Sequence, residues 1–116
     1  MRVLVVDDEP DLRALYALNL QDAGHEVLTA SNGAEGLGLL TREHPDVILV
    51  DLMMPVMDGY EFLQELRKMP EHQRTPTIVV SAVATGGYSR KLGATGFVAK
   101  PFDLDELVSV VERCAD

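Results

Sequence analysis

Apolar runs of only three or four residues recur along this chain, and each ends on charge: Val3-Leu4-Val5-Val6 runs into Asp7-Asp8, Val47-Ile48-Leu49-Val50 into Asp51, and Phe97-Val98-Ala99 into Lys100-Pro101. Runs this short and this continuously apolar read as strands buried on both faces, because a half-exposed strand would alternate and a buried helix would be longer. Five strands are legible in this way: Arg2 to Val6, Glu26 to Thr29, Asp46 to Val50, Thr77 to Val80 and Gly96 to Ala99. Between them the apolar spacing turns helical, at Leu12, Leu15, Tyr16 and Leu20 and again at Leu37, Leu39 and Leu40. The C-terminal stretch sets Leu104, Leu107, Val108, Val110 and Val111 against Asp105, Glu106, Glu112 and Arg113. Strand and helix signals that alternate end to end mean repeated βα units. The expected class is α/β, a doubly wound five-stranded parallel sheet with helices on both faces.

The helix boundaries are marked chemically. Asn32 with Glu35, Asp58 with Glu61, and Asp103 with Glu106 each place a capping side chain three residues before a Glu. Pro10 suits the first turn of a helix, where its missing N–H costs nothing, and Gly24 suits the end of one. One stretch breaks the pattern. Gly86-Gly87 interrupt the helix expected between the fourth and fifth strands, at about 1 kcal/mol each. A short, late-starting or mobile helix is predicted over Val83 to Leu92.

The 116 residues are the length of one domain, 1–116, with no linker, repeat or attached effector domain expected. A net charge of −9 opposes direct binding to a phosphate backbone, since nonspecific nucleic-acid affinity comes from Lys and Arg. Cys114 is the only cysteine, which excludes an internal disulfide and leaves a cysteine zinc site unsupported. His25, His44 and His72 lack ligand spacing and are expected to be surface residues. The start of the chain lacks a basic segment followed by an apolar one, and no run has membrane-spanning length, so a cytoplasmic protein without membrane insertion is expected.

In an open parallel sheet the ligand site lies beyond the carboxyl ends of the strands. Asp7, Asp8, Asp51 and Lys100 should therefore meet at one edge. Gathering three carboxylates there without compensation costs several kcal/mol per ion, so a cation is expected to bind. Ligands that are all oxygen select a hard cation such as Mg2+, and Lys100 suits a phosphate as a point charge.

These residues resemble the receiver (REC) domains of two-component response regulators. The likeness rests on Val6-Asp7-Asp8-Glu9-Pro10, Asp51-Leu52-Met53-Met54-Pro55 followed by Met57-Asp58-Gly59, Ser81-Ala82, and the run from Gly93 to Phe102, and it covers essentially the whole chain. The resemblance implies strand order 2-1-3-4-5. It makes Asp51 the phosphoacceptor, with a sensor histidine kinase or histidine phosphotransfer protein as donor and a downstream protein or effector as recipient of the signal. It assigns Mg2+ to Asp8 and Asp51 directly, to Asp7 through water, and to the backbone carbonyl of Met53. Ser81 and Lys100 would receive the phosphoryl oxygens, Lys100-Pro101 would be a cis peptide, and Ser81 with Phe97 would form the switch. Phe97 has no hydroxyl, so such a switch must work through packing alone. Met53 and Val83 stand where receivers tune water access, and both are apolar, so slow self-hydrolysis is expected. The interval from Ser81 to Gly93 is shorter than in typical receivers by nearly a helical turn. The C-terminal helix, with Val110 and Val111, lacks the arginine pattern by which winged-helix receivers dimerise.

Two other readings compete. A Mg2+-dependent phosphohydrolase would use the same acids, but the first strand lacks an Asp-x-Asp pair and no cap insertion builds a substrate pocket. A receiver-like interaction module that works without phosphorylation is the alternative, resting on the unusual 83–92 interval. The expected protein catalyses its own phosphorylation and slow dephosphorylation but is not a turnover enzyme.

Overall fold

The computed structural model describes residues 1–52, 54, 56–81 and 93–114. In chain order the elements are β1 (Arg2–Val6), α1 (Pro10–Asp22), β2 (Glu26–Ala30), α2 (Gly33–Leu40), β3 (Val47–Asp51), α3 (Gly59–Leu66), a 3-10 turn (Pro70–His72), β4 (Thr77–Ser81), β5 (Gly96–Ala99) and α4 (Leu104–Cys114). All strand pairs are parallel, in the order β2-β1-β3-β4-β5. This is the doubly wound sheet and the strand order expected. The helix expected over Val83 to Leu92, and with it the basis for a phosphorylation-independent module, lies outside the described residues.

The period of two along each strand decides which side chains meet which helices. Leu4, Val6, Ile48, Val50 and Val79 pack with Leu40 of α2 and Phe62, Leu63 and Leu66 of α3. The alternate residues Val3, Val5, Val47, Leu49, Ile78 and Val80 pack on the other face with Tyr16 and Leu20 of α1 and Leu107 and Val111 of α4. Every residue of β3 and β4 is buried, which explains their unbroken apolar character. Leu15 belongs to the apolar stripe of α1, yet it is 41% exposed, as the stripe is wider than the surface that α1 buries.

Local chemistry sets the helix ends as expected. The Asn32 side chain accepts from the Glu35 N–H at 2.9 Å and Asp58 from the Glu61 N–H at 2.9 Å. Pro10 opens α1, and Gly24, at φ +94°, follows its end in the left-handed conformation.

The histidines are a correction. His44 is exposed, but His72 is only 1% exposed, and the His25 side chain is 9% exposed. The last carbonyls of a helix lack partners within it, and His72 answers this for α2, its Nε2 lying 2.9 Å from the Leu40 carbonyl oxygen. Its Nδ1 lies 3.2 Å from the Thr75 hydroxyl, and its ring stacks on His44. His25 joins the start of β2 to Glu112 of α4 at 2.9 Å.

Arg67, just past α3, is a second tie that sequence spacing does not announce. Its half-buried guanidinium donates to the carbonyls of His72 at 2.9 Å and Thr75 at 3.0 Å, to the Thr77 hydroxyl at 3.1 Å and to the Gly93 carbonyl at 2.6 Å. Burial lowers its pKa from the ordinary value, but a guanidinium still remains charged. Gly93 has φ +93°, and a Cβ there would fall 2.7 Å from Arg67 Nε. One side chain thus joins the end of α3, the start of β4 and the turn that leads into β5.

Candidate functional site

Four chain segments end at the same edge of the sheet. β1 delivers Asp7 and Asp8, β3 ends on Asp51, β4 ends on Ser81, and Lys100 follows β5. Ladder bonds that continue past the strands hold these ends in register: Asp7 N–H donates to Ala30 O at 3.1 Å, Leu52 N–H to Val80 O at 3.0 Å, and Lys100 N–H to Ser81 O at 2.9 Å. Oxygen atoms of Asp7, Asp8 and Asp51 lie within 4.8 Å of one another, with Asp7 and Asp51 buried and Asp8 partly so. Lys100 Nζ stands 3.2 Å from Asp51 Oδ2. The Lys100-Pro101 peptide is cis.

The turn into α1 positions Asp7. Glu9 N–H donates to its Oδ1 at 2.8 Å, and the Arg13 guanidinium donates to its backbone carbonyl at 2.8 Å. Burial pushes its carboxyl up to about 6, with the charge of Asp51 adding to the effect, while the Glu9 N–H and Lys100 oppose it. The single lysine does not offset three clustered acids. Asp7, Asp8 and Asp51 form an all-oxygen donor set, and this charge imbalance suits a small hard divalent cation.

The connection from β3 to α3 is tightly closed. Gly59 N–H donates to Leu52 O at 2.8 Å, and a Cβ on Gly59 would fall 2.7 Å from Leu52 Cα, so only glycine fits. Val56 within this connection has φ +72° and is 80% exposed. That backbone conformation is unfavourable for a β-branched residue.

The structure therefore brings together Asp7, Asp8, Asp51 and Lys100, with Ser81 buried at the end of the neighbouring strand. Phe97 is half-buried, lies opposite Val79 in the register and packs against the core under α2 and α3. Met53, with its expected carbonyl ligand, and Val83 lie outside the described residues. The contacts of Arg13 and of the Glu9 N–H with Asp7 were not foreseen. One uses a backbone group that every residue carries, and the other joins residues whose contact depends on the turn between them.

A family model described as the response regulator receiver domain matches residues 3–112. The chain is 42% identical to the regulatory protein AtoC of Escherichia coli over 97% of its own length and 24% of that protein's. A probable transcriptional regulator, ycf27, of Porphyridium aerugineum is 38% identical over 91% of this chain and 44% of that protein. The chain thus spans from about a quarter to under half the length of these relatives. It also matches, at 38% identity, an uncharacterized 14.6 kDa protein of Leptolyngbya boryana, over 97% of this chain and 88% of that protein. Among solved structures, the chemotaxis response regulator CheY4 of Vibrio cholerae superposes with a TM-score of 0.91 at 35% identity, covering 97% of each chain. The receiver domain of the Francisella response regulator 1452 gives 0.91 at 32%, covering 98% of this chain and 95% of that one. Family match, strand order and the acid-lysine edge agree, and the chain belongs to the response regulator receiver domains.

Proposed function

We propose that Asp51 accepts a phosphoryl group from a phosphohistidine on a sensor histidine kinase or histidine phosphotransfer protein, and that the phosphorylated domain signals to a downstream partner. The observation that carries this reading is the meeting of Asp51 with Lys100 at 3.2 Å and with Asp7 and Asp8 within 4.8 Å. A carboxylate oxygen of Asp51 forms the new bond to phosphorus, the phosphorus–nitrogen bond of the donor breaks, and the imidazole keeps that electron pair. The product is an acyl phosphate on Asp51.

Asp7, Asp8 and Asp51, with the Met53 carbonyl, would hold Mg2+, which when bound supplies positive charge against the phosphoryl oxygens. Lys100 moves its ammonium from the Asp51 carboxylate to a phosphoryl oxygen, and the Ser81 hydroxyl donates to another. Engagement of Ser81 draws Phe97 inward from its half-buried place, a switch made by packing. Neither Met53 nor Val83 carries a group that orients water, so the acyl phosphate hydrolyses slowly. The domain turns over no external substrate.

Among the described residues no helix is long and apolar enough to cross a membrane. We place the domain in the cytoplasm, with its donor. Its −9 charge argues for output through protein contacts rather than direct nucleic-acid binding.

Incubation with acetyl phosphate and Mg2+ should add one phosphoryl group by intact mass, and Asp51→Asn should take none. Equal labelling of the Asp51→Asn variant would exclude Asp51 as acceptor.

A further inference from the structure

The loop that leaves Asp51, residues 53–58, is pinned at both ends by the bond from Gly59 N–H to Leu52 O at 2.8 Å. Within it Val56 stands at φ +72°, a conformation that a β-branched residue keeps only where its surroundings over-determine the backbone. Val56 is itself exposed, so the hold comes from other residues. Among the described residues of the loop, Met54 and Met57 pack into the core beneath α2 and α3.

Met57 is seated against a glycine. A Cβ on Gly33, the first residue of α2, would fall 2.9 Å from Met57 Cγ, 3.0 Å from its Sδ and 3.1 Å from its Cβ. Carbon atoms pack best at about 3.5–4.0 Å, so something would have to move. The thioether can rotate away, but the Cβ of Met57 moves only with its backbone. Gly33 is held too. Asn32 caps α2 by accepting from Glu35 N–H at 2.9 Å, and Ala30, at the end of β2, accepts from the N–H of Asp7 at 3.1 Å. One turn along α2, a Cβ on Gly36 would fall 3.1 Å from Val6 Cγ2 and 3.2 Å from Phe62. The path from Asp7 through Ala30 and Gly33 to Met57 thus fixes how far the loop stands from the acids. Gly38 of the same helix has open space where a Cβ would lie, so crowding is particular to the inward glycines.

A small cation makes that distance matter. Mg2+ demands near-octahedral ligands at about 2.0–2.1 Å, whereas Ca2+ tolerates irregular cages at about 2.3–2.6 Å. The loop carries Met53, whose carbonyl belongs to the cation's ligand set in the function proposed above, and the inference rests on that reading. We infer that Gly33 is a positioning residue for the cation: by admitting Met57 with no Cβ between them, it holds the 53–58 loop at the spacing that selects Mg2+. The test titrates Mg2+ and Ca2+ separately into the ¹⁵N-labelled protein and its variants, followed by amide chemical shifts, with urea midpoints measured alongside. Gly33→Ala should weaken Mg2+ binding roughly tenfold, the lower end of what lost support around a metal's ligands costs, and Ca2+ binding far less. Gly36→Ala crowds the core but not the loop, and should lower the urea midpoint while leaving Mg2+ affinity unchanged. Adding Met57→Ala to Gly33→Ala removes the atoms that the new methyl meets and should recover part of the affinity.

Unchanged Mg2+ affinity in Gly33→Ala, an equal loss for both cations, an equal loss in Gly36→Ala, or a double variant no better than Gly33→Ala would each overturn the assignment. Should Gly33→Ala not fold, Met57→Ala alone decides: it unseats the loop from the other side and should weaken Mg2+ more than Ca2+, and no loss or an equal loss overturns the assignment. A parent protein that does not bind Mg2+, or binds it as tightly after Asp51→Asn, would overturn the cation site itself and this inference with it. A parent that binds Mg2+ through Asp51 while Gly33→Ala matches it overturns this inference alone.

Discussion

Asp7 is buried beside Asp51 with the Glu9 N–H and Lys100 as compensation, and its carboxyl lies near 6 in place of the ordinary 3.8. An acid whose folded pKa is raised binds its proton more tightly in the folded state. In the window from about 4 to 6 the folded state therefore holds more protons, and the contribution of Asp7 to stability falls as pH rises. A shift of roughly two units corresponds to about 3 kcal/mol, fully felt above pH 6 in the metal-free protein. Asp7→Asn should raise the urea midpoint of the metal-free protein at pH 7 and leave it nearly unchanged at pH 4. A variant no more stable than the parent at pH 7 would contradict this. Val56 invites a separate test, since glycine adopts φ +72° without the penalty that valine carries there. Val56→Gly should stabilise the protein by about 1 kcal/mol in denaturant titration, because the exposed side chain has little packing to lose.

At the scale of elements, two ties invite comparison. Asp58 caps α3 through a single bond to the Glu61 N–H, and Asp58→Ala should cost about 1 kcal/mol. Arg67, at the end of α3, serves acceptors both in the stretch from His72 to Thr77 and at Gly93. Arg67→Met should cost more, on the order of 2–4 kcal/mol, because several acceptors lose their donor together. Equal urea midpoints for the two variants would show that the Arg67 contacts are weak. The Asp58 cap was legible because donor and acceptor are three residues apart. The Arg67 hub was not, because all of its acceptors but the Thr77 hydroxyl are carbonyls, which look alike at every position. His72 was misjudged for the same reason, since its essential partner is the carbonyl of Leu40.

At the scale of the whole molecule, the acidic edge should link stability to cation binding. A ligand that binds only the folded state stabilises it by about 2.7 kcal/mol at a hundred times its dissociation constant. Saturating Mg2+ should therefore raise the melting temperature of the parent strongly and that of Asp51→Asn far less. A similar rise in both would place the cation elsewhere.

Apolar runs and helical spacing were sufficient for the fold class and for which residues stand at the strand ends, because backbone periodicity and burial act locally and leave their imprint on neighbouring residues. Strand order came with the family resemblance, since periodicity does not say which strands are neighbours. Only the tertiary structure set Lys100 at 3.2 Å from Asp51, brought His72 to the Leu40 carbonyl at the end of α2, and left Tyr16 buried at the wall of a cavity. Each of these depends on how segments distant in the chain pack, and a polar side chain's surroundings are fixed by that packing and not by its sequence neighbours.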